Sequence, residues 1–446
     1  MKIVRGTRAT VPSHSGELDG RPEPPGWVAI GLSWVECRDL GKRSLEDWKT
    51  SAVAVDAWAQ LPGPGVDAIA VLSPEVAPLF PESAANLFRS APRHDSWVTV
   101  LLPWRKPPAQ SIRSDGTAES FCCSARLFSE LLKSVGPARV ESLCFRLLDA
   151  ILNGKMEAQQ LLVRQLPLRV PREETATPPA PRAALIMAHR GPKAYLATAL
   201  HSIQRMAGSS QVTVRVGLDL EDPSNYRDMV EAFPDAEFYR VDGAPVGPYI
   251  IRQDLIDRSD EHLLVFHDSD DFSCSDRIAV LAAEVHEKKV EVVGSHELRV
   301  DEMQASVEVY RFPLDASAAL ALPGSTEQND RAHEPLLHPT LMMVRSDFVQ
   351  AGGFSTDQKI ANDTQFILRA YFSLRMRNVD SFLYIRRRHP TALTVAKETA
   401  LGTPLRHFLG TTWGTDFKAV KSGQARLEET SLWPRLSPLR HPLTRL

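Results

Sequence analysis

Four aspartates crowd one short stretch, "LLVFHDSDDFSCSDR" at 263–277, directly after an apolar run. Asp268, Asp270, Asp271 and Asp276 carry like charges, and ionised carboxylates resist being gathered unless something positive sits among them. Asp268 and Asp270, one residue apart, can both reach a divalent cation. Mg²⁺ or Mn²⁺ takes oxygen ligands from one or two carboxylates and completes its shell with substrate phosphates, so the spacing suits a metal-bridged diphosphate. The same residues also suit the cap and first turn of a following helix, whose apolar face would be Ile278, Leu281, Ala282 and Val285. Asp271 and Asp276 fit that second role better, as loop and cap residues.

The elements that deliver this cluster alternate. "AALIMAHR" (183–190) reads as a buried strand ending in His189 and Arg190, and Leu196, Leu200 and Ile203 then recur at helical spacing. "QVTVRVGLD" (211–219) is a second strand, residues 224–233 a helix, and "AEFYRVD" a third strand. A helix around "YIIRQDLIDRS" leads to a fourth strand, "HLLVF". Strands alternating with helices predict an α/β fold with a mostly parallel sheet and helices on both faces. Ligands bind beyond the carboxyl ends of such strands, which is where Asp268 and Asp270 fall.

Residues 183–395 resemble the family 2 glycosyltransferases, of the nucleotide-diphospho-sugar transferase (GT-A) fold. Five stretches carry the resemblance in order: "IMAHRGPKAYLATALHSI", "VGLDLEDPSNY", "GPYIIRQDLIDRSDEHLLVFHDSDDFSCSDR", "HPTLMMVRSDFVQAGGF", and "ANDTQFILRAYF" with "YIRRRHPTALT". The resemblance implies that Asp268 and Asp270 form the Asp-x-Asp element, Asp270 being the first choice as metal ligand and Asp268 facing the ribose or the metal. It places Arg252 near the phosphates, His189 and Arg190 in the nucleotide pocket, and Asp219 or Asp222 against the uracil N–H. That last loop reads "LDLEDPS" in place of the family's Asp-Asp-x-Ser, and an Asp/Pro/Ser turn explains Asp222 equally well.

Sugar transfer with inversion needs a carboxylate beside the acceptor hydroxyl. The resemblance puts Asp363 there, at the start of a helix with Ile367, Ala370, Tyr371 and Leu374 inside. Asn362 stands where the family has the first acid of a pair, and Asp363 can equally serve as a cap. Ser346 is expected to cap a short helix, and Gly352-Gly353 to permit a tight backbone path. His338 is a sugar contact or a structural histidine. In "RRRHPTALT", the resemblance implies that His389 completes the metal shell and that one of Arg386, Arg387 and Arg388, with Arg388 the candidate, faces the leaving diphosphate. A solvated strand edge is the alternative for the arginines.

The chain as a whole has 446 residues, 43% apolar and 24% charged, with a net charge of -3. That balance is ordinary for a globular protein and gives no global pull on nucleic acid. Five cysteines fall in no metal-ligand spacing, so free thiols in a reducing cytoplasm are expected. No apolar stretch is long enough to cross a membrane. The proline-rich stretch 167–182 reads as a linker between an N-terminal domain (1–166) and a glycosyltransferase domain (183–420), with a partly disordered tail at 421–446. Apolar runs at 27, 67 and 97 predict strands in the N-terminal domain, α/β or α+β in class. Residues 105–120 look loose, and 139–166 reads as helical. Acceptor recognition or assembly is the role left for this domain.

These readings converge on a metal-dependent, inverting glycosyltransferase that uses a nucleotide-diphosphate sugar, with a UDP-sugar as the expected donor and Mn²⁺ or Mg²⁺ as cofactor. A non-catalytic sugar-nucleotide-binding scaffold is the alternative. An Asp-x-Asp phosphotransferase ranks last, because the first strand ends in His189 and Arg190 with no nucleophilic aspartate. The sugar, the acceptor and any homo-oligomeric assembly stay open.

Overall fold

The structure is a computed structural model. It describes residues 2–6, 27–32, most of 67–168, and 182–446 apart from 207, 221, 223, 323–334, 359, 396–398, 401 and 437–441. The expected linker lies mostly outside the described residues. The chain divides into two compact units, one of residues 1–105, 117–175 and 304–307, the other of 106–116, 176–303 and 308–446.

In the first unit, β1 (Lys2–Gly6), β2 (Trp27–Leu32), β3 (Ala68–Leu72), β4 (Trp97–Pro103), β6 (Ser120–Ser124) and β7 (Gln160–Leu166) form one sheet. Its order is β1-β2-β3-β6-β4-β7, with only β4 and β7 parallel. Every residue of β3 and β6 is buried, so both faces of the sheet are covered. Helices α1 (Ala125–Val135) and α2 (Leu143–Leu152) complete the described part. The helix expected across 139–166 is corrected here: it stops at Leu152, and 160–166 is a strand. Gly154 takes φ 66, a left-handed position that ends a helix, while the Lys155 N–H turns back to the Ala150 carbonyl. The segment 105–120, expected to be loose, contains β5 (Arg113–Thr117).

The second unit carries the larger sheet. It contains β8 (Ala183–His189), β9 (Val212–Leu218), β10 (Ala236–Val241), β11 (Leu263–Phe266), β12 (Phe272–Ser273), β13 (Val292–Asp301), β14 (Ser306–Arg311), β15 (Met342–Val344), β16 (Met376–Arg388) and β17 (Leu443–Arg445). The helices are α3 (Lys193–Gln204), α4 (Arg227–Ala232), α5 (Pro248–Asp257), α6 (Arg277–Lys288), α7 (Ala316–Ala321), α8 (Arg345–Gln350), α9 (Asn362–Ala370) and α10 (Pro404–Lys421). The strand order is β12-β16-β13-β15-β11-β8-β9-β10-β17, with β14 and β5 extending from β13.

Four adjacent strands, β10-β9-β8-β11, run parallel. The chain steps outward from β8 through β9 to β10 and then returns to the other side of β8 as β11. That reversal between β8 and β11 opens a crevice at their carboxyl ends. The near-continuous apolar runs of these strands follow from burial on both faces. Ala184, Ile186, Leu264 and Phe266 pack with Ile251 and Leu255 of α5 and with α9 and α10. Ala183, Leu185, Leu263 and Val265 pack with Leu196 and Leu200 of α3 and with Ile278 and Leu281 of α6. The α/β class read from the sequence is what forms. No helix among the described residues is long and apolar enough to cross a membrane.

Two local expectations change. Ser346 lies inside α8, whose N-cap is Val344, because β15 runs straight into the helix. Part of the expected tail joins the unit: Leu432 is buried, and Leu443–Arg445 pairs with β10.

Helix α5 reaches the sheet through Gly217 of β9. A Cβ at that position would collide with the stiff Cγ2 of fully buried Ile251. Gly217→Ala is expected to cost about 1–3 kcal/mol despite alanine's smaller backbone entropy, because the core has to move. A denaturant melt checks this, and an unchanged midpoint would contradict it.

Candidate functional site

A cleft of about 850 Å³ opens beyond the carboxyl ends of β8 and β11. His189, Arg190, Asp219, Arg252, Asp268, Asp270, Asp363 and His389 all line it, joined by Arg386 and Arg387. Asp222 and Arg388 are not among the lining residues. The exposed Asp222 accepts from the Ser224 N–H at 2.9 Å, so the turn explains it. Arg388 sits directly opposite Asp301 in the β13–β16 register and donates to its Oδ2 at 2.6 Å.

The acidic loop is a tight turn. The Asp271 N–H meets the Asp268 carbonyl at 3.2 Å, and β12 follows at once, pairing with Tyr384 and Ile385 of β16. This pairing sets the loop against the end of β16. His389 Nε2 lies 2.8 Å from Asp270 Oδ2. The backbone N–H of Arg387 donates to Asp271 Oδ1 at 2.7 Å, and its guanidinium donates to the Asp270 carbonyl at 3.0 Å. Arg387 also stacks 3.9 Å over the Tyr195 ring. On the other side Arg252 of α5 donates to Asp268 Oδ1, and the Asp268 N–H reaches the Tyr384 hydroxyl at 3.1 Å.

These partners divide the three carboxylates. Burial pushes Asp268 above its ordinary range, although Arg252 and Arg386 pull the other way. Burial is the largest single influence on Asp270 and would raise it, but His389, a backbone N–H and the charge of Arg386 together outweigh it and hold that carboxyl low. Asp271 rises well above the carboxylate range through burial and the negative charges of Asp270 and Asp268. Asp276 occupies the N-cap position of α6 without a side-chain capping bond.

Among the described residues, no group of three or more His, Cys, Asp or Glu is arranged to hold a metal ion by itself. Asp270 and His389 still bring a carboxylate oxygen and an imidazole nitrogen to one point, with Asp268 beside them. That donor set fits Mn²⁺ better than the all-oxygen preference of Mg²⁺, provided a diphosphate supplies the remaining ligands.

His189 ends β8 with both ring nitrogens engaged. Its Nε2 lies 2.8 Å from the Tyr226 hydroxyl, and its Nδ1 lies 2.8 Å from Ser269 Oγ. Tyr226 donates onward to the Gly191 carbonyl at 3.2 Å, so the imidazole carries its hydrogen on Nε2 and accepts from Ser269. Asp219 is buried in the cleft wall and accepts from the Val246 and Gly247 N–H groups at 2.7 and 3.0 Å, fixing the loop that starts α5.

Asp363, in the first turn of α9, accepts from the Tyr249 hydroxyl at 2.7 Å. Asn362 beside it is fully buried and donates Nδ2 to the Ser355 and Gln358 carbonyls at 2.7 and 3.0 Å. A carboxylate has no hydrogen to give there, so an acid at position 362 would lose both bonds. The preceding Ala361 holds φ 62, a left-handed conformation that costs an ordinary residue roughly 1–2 kcal/mol. Fully buried Arg369 pins the base of α9 through the Ala351 and Leu432 carbonyls, both at 2.6 Å, and that of Gly353. Gly352 and Gly353 take φ 88 and 66, as the sequence predicted for this tight path.

His338 is buried and stacks 4.4 Å from Phe266. The sequence signalled neither Tyr249 nor Tyr195, Tyr226 and Ser269. Only the three-residue step from Tyr249 to Arg252 along one helix face hinted at the first.

No protein-family model matches the chain, and no curated protein sequence does. Solved structures similar to it include Staphylococcus aureus TarS, at 16% identity and a TM-score of 0.38, with 53% of this chain and 43% of that one covered. TarS 1–349 in complex with UDP gives 16% and 0.38, over 56% and 73% of the two chains. The complex with UDP-GlcNAc gives 16% and 0.39, over 56% and 78%. The chain thus spans less than half of the longest TarS chain it matches. At this identity and overlap the likeness assigns no activity.

Burial lowers the His189 pKa from 6.5 to about 4, against the pull of Asp270. Above pH 6.5 the ring is neutral in folded and unfolded chains alike. Between 6.5 and about 4 the unfolded chain takes a proton that the folded one refuses, so acidification destabilises the fold, by on the order of 2 kcal/mol near pH 5. Melting temperatures measured across that interval should fall less steeply in His189→Gln than in the unmutated protein. Parallel curves would contradict this origin.

Proposed function

We propose that the second unit is a GT-A-type glycosyltransferase that moves a sugar from a nucleotide diphosphate, with a UDP-sugar as donor. The observation that carries this reading is one cleft, at the sheet's switch point, whose lining holds Asp268, Asp270 and His389 together with Asp363. The diphosphate would lie over the acidic loop, with Asp270 and His389 holding a divalent ion and Asp268 beside them. Such an ion screens the phosphate charge and acts as a Lewis acid on the leaving group. Arg386 faces the same three carboxylates and lines the cleft, so it is better placed than Arg388 to meet the departing diphosphate. Arg387 is committed to the acidic loop itself. His189, in its fixed tautomer, and Arg190 wall the nucleotide side, and Asp219 shapes that wall through its backbone bonds.

Asp363 would take the proton of the acceptor hydroxyl while the bond to the anomeric carbon forms from the face opposite the diphosphate, inverting its configuration. The buried bonds of Asn362 account for the missing second acid without loss of this base. Acceptor recognition or assembly falls to the N-terminal unit.

A thermal-shift and turnover panel with UDP and UDP-GlcNAc, with and without Mn²⁺, tests the reading. Ligand and ion together should raise the melting temperature by mass action, and Asp270→Ala should abolish the ion-dependent part. Asp363→Asn should keep the shift yet lower UDP release about 10²–10⁴-fold. Binding indifferent to both the ion and Asp270→Ala would refute the metal role. Turnover indifferent to Asp363→Asn would refute the base.

A further inference from the structure

Helix α5 presents Tyr249 and Arg252 three residues apart, on one face. Each reaches a different carboxylate of the cleft: Arg252 bonds Asp268, and Tyr249 bonds Asp363. The Tyr249 ring is itself confined. Phe354 meets it edge-on at 5.4 Å, His338 lies at 6.4 Å, and the Arg252 guanidinium sits 5.3 Å over its face. A ring held on three sides delivers its hydroxyl to one place. That place is Asp363 Oδ1, at 2.7 Å.

We infer that Tyr249 is a positioning residue for Asp363, holding one carboxylate oxygen so that the other is left, at a fixed orientation, for the acceptor hydroxyl. This rests on the reading of Asp363 as the base. A carboxylate rotates freely about its last bond unless one oxygen is tied, and a base must meet its proton along a narrow line of approach. The tie comes from a neutral phenol, which adds no charge beside the diphosphate. Burial and the negative charge of Asp363 raise the phenol's own pKa well above 10, so it remains a donor throughout the working pH range. Through Arg252 the same helix sets the distance between the base and the acidic loop.

Tyr249→Phe tests this, since it removes the hydroxyl and keeps the ring in its packing. With UDP-GlcNAc and Mn²⁺, UDP release should slow about 10–100-fold while UDP affinity stays within about twofold. That split between kcat and affinity is what an untied base produces and a merely structural defect does not. An unchanged kcat would overturn the inference. So would parallel losses of kcat, UDP affinity and melting temperature, which mark a purely structural role. If the unmutated protein turns over no donor, the failure belongs to the proposed activity, and a second readout still decides the positioning. Aspartate carboxyl-¹³C spectra at neutral pH, with Asp363 assigned by its loss in Asp363→Asn, should show that resonance move in Tyr249→Phe as the hydrogen bond to Oδ1 is lost. An unmoved resonance would overturn the inference independently of turnover.

Discussion

Three carboxylates at a single turn, Asp271 buried and Asp268 and Asp270 with 30% and 31% of their side chains exposed, are the constraint around which the second unit is built. Each ion taken out of water costs several kcal/mol, and Asp268, Asp270 and Asp271 also repel one another. The fold offsets this from two directions. The end of β16 supplies the Arg387 backbone N–H and side chain, His389, and the charge of Arg386, while α5 supplies Arg252. The short β12 strand matters for the same reason: by pairing with Tyr384 and Ile385 it forces the acidic loop against the three-arginine end of that strand. Burial and like charge still raise Asp268 and Asp271, so the compensation is partial.

The opposite side of the cleft uses local conformation more than charge. Asn362 ties down the turn before α9, Ala361 is held left-handed, and Arg369 locks α9 to the chain around Ala351 and Leu432. The result is a carboxylate, Asp363, on a pinned helix end that lines the same cleft as the acidic loop. Helix α5 spans the two. Its close seat on Gly217 of β9 lets Tyr249 and Arg252 reach the two sides at once. Strain at Ala361 and crowding in the acidic loop are local costs that the surrounding core sustains.

Much of this was legible in the sequence wherever the physics is local. Strands buried on both faces leave nearly unbroken apolar runs, so β8 and β11 could be read directly, β9 and β10 by their β-branched and aromatic residues, and a parallel sheet then fixes which end binds ligand. Asp268, Asp270, His389 and Asp363 followed from residue type, order and family resemblance. What escaped depends on long-range register. Nothing in "RRRH" tells which arginine faces the cleft; the alignment of β16 with β13 decides it, placing Arg388 opposite Asp301. The bonds of Asp219 to Val246 and Gly247 were not legible, because they form only when a distant loop folds back. Tyr249 meets Asp363 across 114 positions, which no spacing rule encodes. The misread segment at 139–166 has a local cause: apolar residues there suit either period, and the break rests on one left-handed glycine.

The account depends on a cation being gathered with a pyrophosphate at the turn between β11 and β12. Electron paramagnetic resonance of Mn²⁺ added to the protein with UDP examines that point directly. Nitrogen hyperfine coupling from an imidazole together with phosphorus coupling from UDP is the result the account predicts, with the nitrogen signal lost in His389→Gln. A spectrum of free manganese whether or not UDP is present, or a bound spectrum that His389→Gln and Asp270→Asn leave unchanged, would contradict it.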